Sequence, residues 1–172
     1  EFEVNNIEEI VELIMKKMSE SSVSTSNNST NGVFKNVDEA IAEAKKAQTV
    51  LFSSKLELRE RIIASIRDTL KSHITELSEL AVKETGMGRV ADKELKNRIA
   101  IEKTPGLEDL KAFAFSGDDG LTVMELSPYG VIGAITPSTN PSETVICNSI
   151  GMIAAGNAVI FAPHPGAKRT SI

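Results

Sequence analysis

Apolar residues recur with helical spacing over the first half of this chain and then gather into short continuous runs. Ile7, Ile10, Val11, Ile14, Met15 and Met18 fall on one face of a predicted helix, Asn6 to Met18, with Glu8, Glu9, Glu12 and Lys16 opposite. Asn6 and Glu9 make a capping-box pattern at its start. Ser19 to Gly32 is almost wholly Ser, Thr, Asn and Glu, too polar to bury a core, and reads as a flexible tether. On helix physics alone, the first helix either packs on its own domain or docks on another protein, because so short a helix is marginal until it docks somewhere.

Asn36 and Glu39 form a second capping box, opening a helix through about Phe52. Ser54 and Glu57 form a third, opening a long helical run through about Glu84 with Leu56, Ile63, Ile66, Leu70, Leu77 and Ala81 along its apolar stripe. On this reading His73 is a mid-helix face residue. Thr85-Gly86-Met87-Gly88 ends the run, and a further helix follows from about Val90 to Glu102. Pro105-Gly106 and Gly117-Asp118-Asp119-Gly120 are turn signals.

The period then changes. Leu121 to Leu126 alternates polar and apolar residues and reads as an exposed or partner-pairing strand. Val131 to Ile135 and Asn157 to Ala162 are apolar runs of the kind found in buried parallel strands. Between them lies a helix from Pro141 to about Ala155, with Gly156 at its C′ position. Strand, helix and strand make a βαβ unit, and Lys168 to Ser171 reads as the start of another crossover helix. The fold class is α/β, with a helical N-terminal part leading into the first βαβ unit of a Rossmann-like parallel sheet.

Composition narrows the choices. The chain has 172 residues, 41% hydrophobic and 25% charged, with a formal net charge of −5, as in an ordinary globular domain. Neither a basic patch nor a set of stacking aromatics is present, which argues against nucleic acid as a partner. Glu1, Glu3, Glu8 and Glu9 stand where a secretory signal carries positive charge. Val145 to Ala162 is broken by Asn148, Ser149, Gly156 and Asn157, so it reads as no membrane span. A single cysteine, Cys147, fits a reducing cytoplasm. It sits within a helix with no neighbouring base or cation in sequence, so a structural role is expected of it.

The chemistry concentrates in Thr136-Pro137-Ser138-Thr139-Asn140-Pro141, at the carboxyl end of a parallel strand, where open α/β sheets place ligands. Asn140 can cap the helix, with Pro141 at the first helical position and Glu143 completing a fourth capping box. Alternatively, its amide donates to a developing oxyanion. His164, between Pro163 and Pro165, reads by itself as a solvent-facing loop residue.

Tyr129-Gly130-Val131-Ile132-Gly133, the Thr136 to Pro141 segment, and Ala154-Ala155-Gly156-Asn157-Ala158-Val159 through Pro163-His164-Pro165 together resemble the aldehyde dehydrogenase superfamily, and more narrowly its coenzyme-A-acylating branch. Glu84-Thr85-Gly86 is similar to the family's helical segment before its first sheet. The resemblance spans about Val37 to Ile172 and implies a truncated aldehyde dehydrogenase fold. It implies Asn140 as an oxyanion donor in catalysis, and Thr136, Pro137, Ser138, Pro163, His164 and Pro165 as the lining of an NAD groove. Ordinary members carry Lys-Pro-Ser/Ala-Glu after the second strand to grip the adenosine ribose. Here Ala162-Pro163-His164-Pro165 lacks both grips, as in the acylating branch, where the cofactor must leave for coenzyme A to enter.

The resemblance also implies a small aldehyde as substrate, a homo-oligomer, and a catalytic cysteine and glutamate beyond Ile172. Residues 1–19 resemble the encapsulation peptide of enzymes packaged in bacterial microcompartments, with Ile7 to Met18 docking on a shell protein. Residues 20–33 then act as linker, and 34–172 as an incomplete cofactor-binding domain. Two rival readings stand beside this one. One is a non-catalytic binding or assembly module, and the other an ordinary acid-forming aldehyde dehydrogenase, which Ala162 and Pro165 disfavour.

Overall fold

A computed structural model describes residues 32–172. The predicted helix Asn6 to Met18 and nearly all of the tether lie outside the described residues. The architecture below is that of Asn36–Ile172.

Helix α1, Val37–Ser53, opens on the expected cap residue, with Asn36 extended and its Oδ1 accepting from the Asp38 amide at 2.8 Å, but no bond from Glu39 back to Asn36 completes the second capping box. The third capping box does not form. Ser54 turns its hydroxyl back to the Val50 carbonyl (2.7 Å), closing α1 rather than opening the next helix. Helix α2, Leu56–Ser72, starts after Lys55 without a side-chain cap, and Leu56 is exposed rather than on the buried stripe.

The long run expected from Ser54 to Glu84 is two helices meeting at His73. The Thr69 carbonyl accepts both the Ser72 hydroxyl (2.7 Å) and His73 Nδ1–H (2.9 Å), so side chains close the last turn of α2. Ile74 is buried, and Ile74–Thr85 continues as α3. It ends at Gly86, left-handed with φ 68°, whose N–H donates to the Val82 carbonyl. Helix α4 is Val90–Lys103. Ile63 of α2, Ile74 of α3 and Ala100 and Ile101 of α4 join Ile146, Ile150 and Ala154 in one core cluster.

Phe113–Gly117 (β1) and Gly120–Met124 (β2) form an antiparallel hairpin, in register from Phe113 opposite Met124 to Gly117 opposite Gly120. The sequence points to the second strand but not to its partner. Both strands are exposed along their whole length, Phe115 and Leu121 included.

The βαβ unit follows: β3, Val131–Thr136; α5, Pro141–Ala154; and β4, Ala158–Pro163. The strands are parallel, with Val131 opposite Ala158 and Thr136 opposite Pro163. Burial of β3 is one-sided, since Ala134 and Thr136 are sealed while Ile135 is 87% exposed. The apolar run therefore reads as buried on both faces only from sequence; nothing among the described residues covers Ile135.

Helix α5 ends in a Schellman motif: the Gly156 amide donates to Ile153 O and the Asn157 amide to Met152 O, with Gly156 at φ 80°. That glycine is required twice over. A Cβ there meets the Arg59 guanidinium at 2.8 Å, where Arg59 Nη1 donates to the Ala154 carbonyl at the helix end. Gln48 Nε2 also donates to the Gly156 carbonyl.

After a turn at Pro165–Ala167 comes the short helix α6, Lys168–Ser171. Its first amides and the Thr170 hydroxyl donate to Glu84: Arg169 N–H to Oε1, and Thr170 N–H and Oγ1–H to Oε2, at 2.6–2.7 Å. Desolvation alone raises the Glu84 carboxyl, but the Thr170 hydroxyl, the two amides and the Arg169 charge together hold it below the usual glutamate range.

Candidate active site

The register of β3 and β4 brings both strand ends to one edge. Thr136 O accepts from the His164 amide at 3.0 Å, so Thr136, Pro137 and Ser138 lie beside Pro163, His164 and Pro165. Thr136 is sealed and its Oγ1 has no hydrogen-bond partner, whereas Pro137 is exposed and Ser138 half-buried. His164 Nδ1 accepts from the Gly166 amide at 3.0 Å, closing the turn after β4. With Nδ1 an acceptor, the neutral ring carries its proton on Nε2, on an exposed residue.

Asn140 occupies the N-cap position of α5, yet its side chain makes no capping bond. Its Oδ1 accepts instead from Lys96 Nζ at 3.1 Å, and among the described residues its Nδ2 protons have no partner. The backbone just before it is held from the same helix, where Lys93 Nζ donates to the Thr139 carbonyl. The fourth capping box is therefore absent. Glu143 turns inward, its Oε1 3.5 Å from Lys93 Nζ and its Oε2 3.1 Å from Ser142 Oγ.

Behind this turn runs a buried polar chain that the sequence reading missed. Ser142 Oγ lies 2.9 Å from Asn97 Oδ1, Asn97 Nδ2 donates to Ser78 Oγ at 3.0 Å, and Ser78 donates to Ile74 O. Ser78, Lys93, Asn97, Ser142 and Glu143 are all buried. The signal was available in α4, whose buried positions Lys93, Asn97, Ala100 and Ile101 follow helical spacing. Polar residues on the inward stripe of a helix need partners, and partners beneath a turn organise it.

A cleft of about 350 Å³ lies at the start of α4, lined by Gly88, Arg89, Asp92, Lys93, Leu95 and Lys96. Arg89 grips Asp92 with Nε and Nη2 at 2.7 and 3.1 Å; this hydrogen-bonded pairing lowers the Asp92 carboxyl and raises Arg89. Cys147 is half-buried against the core, its Sγ 3.1 Å from Thr104 Oγ1. Among the described residues no cluster of His, Cys, Asp and Glu could hold a metal ion, and no helix is long and apolar enough to cross a membrane.

A parallel βαβ unit whose two strands end side by side, with a side-chain amide that makes no capping bond at the start of the helix between them, is an α/β arrangement, and open α/β sheets bind their ligands at this kind of edge. The chain belongs to the aldehyde dehydrogenase family, whose model matches residues 11–172. It is 49% identical over 166 residues to the acetaldehyde dehydrogenase (acetylating) EutE of Salmonella typhimurium, covering 96% of this chain and 35% of that protein. It is also 49% identical over 142 residues to the propanal dehydrogenase (CoA-propanoylating) of Citrobacter freundii, covering 83% of this chain and 31% of the relative.

Among solved structures, the propionaldehyde dehydrogenase from the Clostridium phytofermentans fucose utilisation bacterial microcompartment superposes with a TM-score of 0.79 at 54% identity, over 81% of this chain and 32% of that one. The Rhodopseudomonas palustris propionaldehyde dehydrogenase, with bound CoA and an acylated cysteine, gives 0.80 at 52%, over 83% and 33%. The chain thus spans about a third of the length of the relatives it matches. The helical N-terminal part and the parallel βαβ unit are the fold these relatives share.

Proposed function

We propose that this chain is the N-terminal part of a coenzyme-A-acylating aldehyde dehydrogenase that converts a small aldehyde, NAD⁺ and coenzyme A into acyl-CoA, NADH and a proton. The observation that carries this reading is Asn140, an N-cap residue at the carboxyl edge of β3 whose amide protons have no partner among the described residues. The relatives named above support the acylating assignment, being acetylating or CoA-propanoylating enzymes.

The chemistry divides between the chain and the groups it would receive. Bound NAD⁺ supplies the hydride acceptor, and coenzyme A the thiol that takes the acyl group. Pro137, Ser138, Pro163, His164 and Pro165 would line the dinucleotide's place at the strand edge, with Thr136 sealed beneath them and its carbonyl holding the His164 amide. They fit a cofactor held loosely: the edge offers backbone, prolines, one serine and the His164 Nε2–H, with Ala162 and Pro165 where a lysine and a glutamate would clamp a ribose. The Asn140 amide would donate to the oxyanion formed when a cysteine thiolate, assigned to the remainder of the enzyme, attacks the aldehyde carbonyl.

The enzyme would work inside a bacterial microcompartment in the cytoplasm, as a homo-oligomer, with Ile7 to Met18 docking on a shell protein. The microcompartment origin of the Clostridium phytofermentans relative and the amphipathic stripe of that segment support this placement.

The test is NADH formation by the full-length enzyme from a short aldehyde, with and without coenzyme A. Turnover that depends on coenzyme A and falls roughly a hundredfold in Asn140→Ala is expected. Sustained release of free acid without coenzyme A would overturn the acylating assignment.

A further inference from the structure

We propose that Lys96 is a positioning residue for the Asn140 amide, selecting the orientation in which that amide donates rather than accepts. The inference rests on the reading of Asn140 as an oxyanion donor. An asparagine amide turned end over end presents either its oxygen or its NH₂ group, and only the latter stabilises a developing negative charge. Asn140 has no capping bond to decide between them.

Lys96 decides. Its ammonium has three donors and no acceptor, so at 3.1 Å it holds Oδ1 and would repel the NH₂ group in the flipped state. The NH₂ group is therefore turned away from α4. The same charge draws electron density through the amide, making its N–H groups better donors to an oxyanion.

The placement is deliberate on the scale of the fold. Lys93 and Lys96 stand one helical turn apart on α4 and hold consecutive residues, Thr139 by its carbonyl and Asn140 by its side chain. The two lysines differ in surroundings. Lys93 is sealed and bound up with Glu143, whereas Lys96 is exposed on the rim of the α4 cleft with Asp92 nearby. Removing the Lys96 charge therefore tests orientation without opening the core.

The experiment compares Lys96→Met, Lys96→Arg, Asn140→Ala and the double variant Lys96→Met/Asn140→Ala in the full-length enzyme. It measures kcat, the KM for a short aldehyde and the melting temperature. Lys96→Met is expected to lower kcat about tenfold, less than the roughly hundredfold loss of the donor itself, with KM and melting temperature unchanged. Lys96→Arg should restore much of the loss, and Lys96→Met should add nothing once Asn140 is alanine. A Lys96→Met enzyme within twofold of wild type, beside a crippled Asn140→Ala, overturns this proposal alone. So does a Lys96→Met loss that persists in full in the Asn140→Ala background. An Asn140→Ala enzyme that retains wild-type kcat overturns the functional reading and this proposal with it.

Discussion

Lys93 Nζ lies 3.5 Å from Glu143 Oε1, with the two side chains only 4% and 10% exposed, so α4 and α5 meet through a buried ion pair directly under the Thr139–Asn140 turn. Breaking such a pair from one side leaves an uncompensated charge in the interior. Lys93→Met is expected to destabilise the enzyme by about 3–5 kcal/mol. Lys93→Met combined with Glu143→Leu should recover most of that, because neither charge remains to be desolvated. Denaturant unfolding of the two variants checks the sign and order; a double variant worse than Lys93→Met would mean the pair is net stabilising.

Gly156→Ala should be costly for two separable reasons. A left-handed φ of 80° costs an L-residue about 1–2 kcal/mol, and the new methyl also strikes the Arg59 guanidinium. In an Arg59→Ala background only the first cost should survive. Thermal unfolding of the two single variants and the double variant measures the coupling, and strict additivity would show that Arg59 moves aside freely.

Glu84 gives a pH dependence of definite sign. Its carboxyl is held below the ordinary glutamate range in the folded chain, so it binds its proton less readily there than when unfolded. The bonds it makes to α6 therefore stabilise fully above the unfolded value of about 4.3 and are lost as the pH falls through the lower folded value. Glu84→Gln should remove this part of the acid sensitivity, measured as a smaller drop in melting temperature between neutral and acid pH. An unchanged drop would count against the assignment.

Deleting residues 1–32 is expected to leave soluble activity unchanged and abolish co-localisation with microcompartment shells. Ile10→Glu with Ile14→Glu should do the same, by placing charge on the apolar stripe that would bury against a partner. Fluorescent fusions and solution kinetics together decide it. Aggregation or lost activity with targeting intact would mean that this segment packs on its own domain.

The sequence made the βαβ unit readable because each of its signals is local. Apolar runs, Pro141 at the first helical position and Gly156 past the last turn are consequences of backbone geometry alone. Asn36 succeeds as a cap for the same reason. Ser54, Asn140 and Glu143 have the composition of caps, but other partners take them: the Val50 carbonyl, Lys96, and Lys93 with Ser142. The lysine partners of Asn140 and Glu143 stand on α4, outside any local window of sequence, whereas Ser142 is the residue next to Glu143. The break at His73 has neither glycine nor proline to announce it, because side chains make it. The same distinction holds at the strand edge: the segment Thr136 to Asn140 joins β3 to α5 as its residues announce, and the α4 lysines behind it were not legible.

The hairpin β1–β2 interrupts a core rather than separating two. Ile63, Ile74, Ala100 and Ile101 come before it, Ile146, Ile150 and Ala154 after it, and all seven belong to one cluster. Arg59 to Ala154, Gln48 to Gly156 and Glu84 to Thr170 tie the same two halves at separations of 95, 108 and 86 residues. A chain cut between Asp118 and Asp119 would therefore give two pieces, each exposing half of a shared interior. Complementation of the halves, rather than independent folding of either, is the behaviour this topology prescribes.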